Sequence, residues 1–183
     1  MFLIFVKWNL LLPSDLCLIR STGIQLLSAN SLRIESQKMT KEIKTEILIH
    51  ARPESVWAIL TAFDQYPNWN PFIKSITGDG TVGTQLVVRI EPPEATGMTF
   101  KPRILAFEAN KEFRWIGHLL FSGLFDGEHK FELIDHGNGT TTFIQSEKFK
   151  GILVSIFAKQ LDNNTKRGFM EMNVKLKALA ERS

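Results

Sequence analysis

Cysteine is almost missing from these 183 residues; the single Cys17 cannot close an internal disulfide, which excludes a small disulfide-stapled scaffold. The four histidines are dispersed and form neither HExxH nor any cluster with zinc spacing, so neither a bound metal nor a resident cofactor is expected. There is no GxSxG elbow, and a nucleophilic hydrolase would have no visible nucleophile. Lysine and arginine form no run despite a net charge of +3. A nucleic-acid reader gathers its positive charge on one face or arm, so no nucleic-acid partner is expected. What is present is ordinary: 44% hydrophobic and 22% charged residues fit one folded domain large enough to bury its own core.

The chain changes character near Met39. Before it, MFLIFVKWNLLL is an apolar run of about a dozen residues carrying Lys7, shorter than the ~20 a membrane-spanning helix needs. Its one early charge lies inside the run, unlike a secretory signal. Stable membrane insertion is therefore not expected, and a cytoplasmic location is. Residues 1–38 read as an N-terminal extension with three open explanations: an upstream start codon, a weak interfacial anchor or unusual signal, or an ordered extension. Met39-Thr40-Lys41-Glu42 resembles a natural start for a domain over 39–183. Four basic and two acidic residues precede Met39, leaving 18 basic against 17 acidic after it.

From Ile43 to His50, β-branched content and partial alternation predict a strand. Pro53 to Leu60 predicts a short helix with proline in its first turn and an acid beside it. Tyr66-Pro67 and Asn70-Pro71 permit at most a broken second helix. Segments 72–77, 84–91, 97–108, 112–119, 125–135 and 140–149 read as strands of a mostly antiparallel sheet. Residues 152–181 switch to a helical period, with Val154, Phe157, Leu161, Gly168, Phe169, Met172, Leu176 and Leu179 at three- and four-residue steps. One helix laid across a curved sheet predicts a cavity between them.

Gly78-Asp79-Gly80-Thr81-Val82-Gly83 spells a dinucleotide-binding fingerprint, but a β-rich segment follows where a helix is needed, so a hairpin is predicted. The informative stretch is Phe125 to Leu133, where alternation puts Phe125, Gly127, His129, Phe131 and Leu133 on one face. On the next strand Thr141, Phe143, Gln145, Glu147 and Phe149 share a face. A three-residue turn at 137–139 sets His129 opposite Glu147. That pair is either a general acid/base aimed into the concavity or two side chains satisfying each other. Arg89 is a further candidate, as an anion stabiliser, but its alternation with Val88 turns one of the two outward.

The motifs PESVWAIL (Pro53–Leu60), FDQYPNWNPFIKSI (Phe63–Ile76), GTQLVVRI (Gly83–Ile90), FRWIG (Phe113–Gly117) and LFDGEHKFEL (Leu124–Leu133), closed by a long helix, resemble the SRPBCC superfamily. The closer resemblance, over residues 42–181, is to its polyketide cyclase/dehydrase and lipid-transport branch, and FDGEHxFEL resembles a bacterial subgroup of it. The resemblance implies a START-like α+β helix-grip fold: a seven-stranded antiparallel sheet wrapped around the C-terminal helix, two short helices after the first strand, and a hydrophobic tunnel. It implies no single reaction, because related folds host carriers, cyclases and hydrolases.

The expected function is to bind or carry a small hydrophobic molecule, a lipid or a polyketide-like aromatic. The expected wall comprises Val88, Phe100, Trp115, Phe131 and Phe143 on predicted strands, Trp69 and Phe72 around the proline-rich turn, and Phe157, Leu161 and Phe169 on the helix. The alternative is an acid–base enzyme, a cyclase, dehydratase or hydrolase, with His129 carrying the proton and Glu147 orienting it. The oligomeric state is left open.

Overall fold

The computed structural model describes residues 40–182; the expectations for residues 1–38, and for Met39 as a start, lie outside them. The chain runs β1 (Thr40–Ile49), α1 (Pro53–Thr61), a 3₁₀ turn (Phe63–Gln65), α2 (Tyr66–Trp69), β2 (Ile73–Thr77), β3 (Val87–Ile90), β4 (Met98–Phe100) and β5 (Arg103–Glu108). It continues through β6 (Glu112–His118), β7 (Asp126–Asp135), β8 (Thr141–Lys150), α3 (Val154–Gln160), a π-helical turn (Leu161–Thr165) and α4 (Lys166–Ala180).

All strand pairs are antiparallel, in a five-stranded sheet of order β1-β8-β7-β6-β5 and a three-stranded sheet of order β2-β3-β4. Eight strands in two sheets thus replace the expected seven in one, and the cause is local. Segment 97–108 breaks into β4 and β5 at Lys101-Pro102, where proline has no N–H for the ladder and restrains the residue before it. The halves stay connected through residues 84–86: Leu86 N–H donates to Pro102 O, Ile104 N–H donates to Thr84 O, and Gln85 bridges Arg103.

The lookalike at Gly78–Gly83 is the β2–β3 connection, with Gly78 and Gly83 at φ of +128° and +87°. The C-terminal segment is one continuous run of helical backbone, since Leu161, Thr165 and Lys166 all keep right-handed dihedrals. Its middle turn loosens to π geometry over Leu161-Asp162-Asn163-Asn164-Thr165. Asp, Asn and Thr side chains compete for backbone hydrogen bonds and are poor helix formers, and π turns cluster at functional sites.

Helix α4 packs on β1, α1 and β8 through Gly168, Phe169, Met172, Asn173, Leu176 and Ala180. Gly168 permits close approach, because a Cβ there would collide with the buried Phe72 ring. Asn70 sets the exit from α2: its Oδ1 accepts from Phe72 N–H and Ile73 N–H at 2.9 and 2.8 Å. Asn70→Ala would strand both donors in the core and should cost about 1–3 kcal/mol. Asn70→Asp, which keeps an acceptor, should recover part of that. Urea unfolding followed by circular dichroism compares the two, and equal losses would refute the capping role.

Candidate functional site

The β7–β8 turn behaves as its glycines require. Gly137 and Gly139 take φ of +70° and +84°, His136 N–H donates to Thr140 O, and Asp135 pairs with Thr141. That register places His129 directly opposite Glu147, and on its other side His129 faces Trp115 of β6. His129 is fully buried, with Nδ1 3.3 Å from Glu147 Oε2. An ionised carboxylate can only accept, so Nδ1–H is the donor and the neutral ring leaves Nε2 as an acceptor. Facing Nε2 at 3.3 Å is Gln145 Nε2, which donates to it.

The imidazole is boxed by rings: Trp115 stacks on it 4.8 Å away and within 6° of parallel, while Phe131 and Phe169 meet it edge-on at 4.6 and 5.1 Å. Glu147 keeps limited solvent contact. Its Oε1 occupies the space over Gly127, where an added Cβ would come within 2.6 Å of it. Gly127 is thus what lets the carboxylate lie along the sheet.

Other buried polar groups adjoin this pair. Gln145 Nε2 also reaches Met172 Sδ at 3.6 Å, and Asn173 Nδ2 donates to Thr45 Oγ1 at 3.0 Å. Gln145 Oε1 and Asn173 Oδ1 are buried acceptors without a partner, and Trp69 Nε1 and Asn70 Nδ2 are donors in the same state. Such groups are costly when left dry and are normally met by water or a ligand. Tyr66 is spared this, its hydroxyl donating to Leu60 O at 2.8 Å, and burial pushes its phenol pKa up.

Of the expected wall residues, Phe72, Val88, Trp115, Phe131, Phe143, Leu161 and Phe169 lie in the buried apolar cluster, and half-buried Trp69 and Phe157 pack against it. Phe100 does not join that cluster; it sits half-buried on the three-residue β4. Arg89 is turned outward, its Nε donating to Glu91 Oε1 at 2.9 Å, while Val88 takes the inner face. Several of these aromatic side chains touch one another, as in the 5.2 Å Phe72–Phe169 and 5.7 Å Phe131–Phe143 contacts.

Thr45 and Asn173 were not anticipated. The signal was available for Asn173: four residues beyond Phe169, it is a polar residue on the helix's apolar face. Thr45 carried no comparable mark. Gln145 was placed on the correct face, but its contact with His129 is a diagonal one that pairing alone does not display. Among the described residues, no group of three or more His, Cys, Asp or Glu is placed to hold a metal.

A second polar cluster lies at the β6–β7 end. Asp126 accepts from Gly123 N–H at 2.9 Å, lies 2.8 Å from His118 Nδ1, and is within 3.4 Å of Ser122 Oγ. Partial burial pushes the Asp126 carboxyl up, but the His118 and Gly123 hydrogen bonds outweigh this and hold it below the usual carboxylate range.

Residues 40–181 match the family described as polyketide cyclase/dehydrase and lipid transport. No curated protein matches the sequence. Among solved structures, a norcoclaurine synthase point mutant from Thalictrum flavum in complex with a transition-state analogue superposes with a TM-score of 0.62 at 17% identity, covering 79% of this chain and 96% of that one. The Zhui aromatase/cyclase from Streptomyces sp. R1128 gives 0.63 at 12%, covering 79% and 95%. A START superfamily protein from Mycobacterium smegmatis gives 0.57 at 16%, covering 77% and 97%. At these identities the likeness is one of fold.

Proposed function

The chain belongs to the polyketide cyclase/dehydrase and lipid-transport family, and from that premise we propose that it binds one small hydrophobic molecule, a lipid or a polyketide-like aromatic, between the sheet and the C-terminal helix. The observation that carries this reading is the aromatic interior built around His129, with unpartnered acceptors on Gln145 and Asn173. Rings supply apolar contact, and a few fixed polar atoms orient a bound molecule. A hydroxyl on the ligand would answer an acceptor that the protein leaves unmatched. The named activities of the norcoclaurine synthase and the Zhui aromatase/cyclase agree with an organic ligand held in this fold.

Native mass spectrometry of protein purified from its host tests the reading, with a bound organic molecule as the expected result. Titration with fatty acids and with naphthol-type aromatics, read through tryptophan fluorescence because Trp115 touches His129, is expected to show one saturable site. Gln145→Leu keeps most of the bulk but removes one of those acceptors, and should weaken a hydroxyl-bearing ligand roughly tenfold, the worth of one hydrogen bond. Empty protein with no response to either probe class would defeat the proposal.

A second reading is favoured by one feature, the orientation of His129 by Glu147. A neutral imidazole whose Nδ1–H is held by a carboxylate presents a basic Nε2, and the carboxylate stabilises the imidazolium formed when that nitrogen takes a proton. Displacement of the Gln145 amide by substrate would free Nε2 for proton transfer in a cyclisation, dehydration or hydrolysis. Under this reading His129→Gln lowers turnover by ~100- to 10,000-fold, and unchanged turnover rejects it.

A further inference from the structure

The end of the domain carrying the β6–β7 loop turns apolar side chains out to solvent. Leu120 and Phe121 at the loop tip are 85% and 63% exposed, and Ile152 and Ile156, where the chain enters α3, are 56% and 67% exposed. The two segments are tied together: Ile152 N–H donates to Gly123 O and Leu153 N–H donates to Leu124 O. Beneath them Phe125 packs on Phe149 and Phe157, so the tip rests on a fixed base. Leu120 holds a φ of +64°, a conformation uncommon for a non-glycine residue, with its side chain in water.

Two lysines without an acid partner lie beside this patch along the chain. Lys150, at the end of β8, and Lys159, one helical turn beyond Ile156, are exposed and pair with no acid among the described residues. The neighbouring acids are occupied, Asp126 by His118 and Gly123 and Asp162 by Lys41. Exposed apolar side chains beside unpaired lysines are the composition of an element that lies in the interface of an anionic membrane. A protein partner of ordinary polar rim would leave the lysines without a role.

We propose that this end of the domain docks on the surface of a bilayer containing anionic lipid, with Leu120, Phe121, Ile152 and Ile156 entering the interfacial layer and Lys150 and Lys159 meeting the headgroups. This is attachment to one face, distinct from spanning; among the described residues no helix is long and apolar enough to cross a membrane. The docking stands apart from the interior site, so each can fail without the other.

The test is co-sedimentation of the full chain with vesicles of phosphatidylcholine, alone or mixed with phosphatidylglycerol. Binding is expected to the mixed vesicles, weaker to phosphatidylcholine alone, and weakened by salt. Leu120→Ser with Phe121→Ser should lower binding at least about tenfold. Lys150→Gln and Lys159→Gln should each lower it about fivefold. All four positions are exposed, so unfolding curves and the interior fluorescence titration should be unchanged. The proposal is overturned by absence of binding to either vesicle, or by equal binding of wild type and the Leu120/Phe121 variant, which would place the contact elsewhere in the chain. A concentration-dependent dimer abolished by that variant overturns it too, since the patch would then meet a second copy.

Discussion

Phe169→Ala is expected to destabilise the domain by about 3–5 kcal/mol, the usual cost of emptying a fully buried aromatic site. Phe169 has no solvent exposure and stands between Phe72 and His129, 5.2 and 5.1 Å from their rings. It is the side chain through which α4 closes on the sheet at the candidate site. Relaxation into the void is limited, because Gly168 beside it already lies against Phe72 and Phe131 is held by Trp115 and Phe143. A thermal midpoint lower by about 10 °C would accompany such a loss. The same change opens a ring-sized space beside His129, so benzene or indole should restore part of the stability in proportion to ligand concentration. Urea unfolding with and without the aromatic measures both effects. A loss below about 1 kcal/mol would mean that the helix does not close on the sheet through this residue.

Gly151→Ala should be of similar size for a different reason. Gly151 has a φ of +140°, and a side chain in that conformation costs about 1–3 kcal/mol before any contact is considered. The new Cβ would also run into the Leu124 carbonyl oxygen, which is pinned by Leu153 N–H at 3.1 Å and has no room to retreat. The combined loss is expected to exceed about 3 kcal/mol, at the severe end for a single methyl group. Because this turn joins the β6–β7 loop to the start of α3, amide exchange at Ile152 and Leu153 should accelerate more than exchange in β7 and β8. A neutral Gly151→Ala, or uniform acceleration across the sheet, would refute the local account.

Much of this architecture could be read along the chain. Alternation from Phe125 to Leu133 sorts the two faces of a strand because side chains in extended backbone point to opposite sides. The glycines at 137 and 139 select a short turn, and a short turn sets the register. His129 opposite Glu147 therefore followed from local pattern alone. The helical period after Gly151 and the proline start of α1 were equally local. Pro102, at which one expected strand becomes two, is visible in the sequence as well: proline has no N–H to give a neighbouring strand and so interrupts a ladder on that side.

Tertiary packing decided what lies between elements distant in sequence. Asn173 and Thr45 meet across 128 residues, a contact set by how α4 crosses β1. The Gln145 amide at His129 and the Glu147 carboxylate over Gly127 are diagonal contacts, which depend on sheet twist and rotamer as well as on pairing. Alternation required Val88 and Arg89 to face opposite ways, but only packing against the core determined that Val88 points in. The exposed tip at Leu120 and Phe121 has the same origin: an apolar residue is read from sequence as a candidate for burial, and whether anything covers it is settled by the rest of the fold.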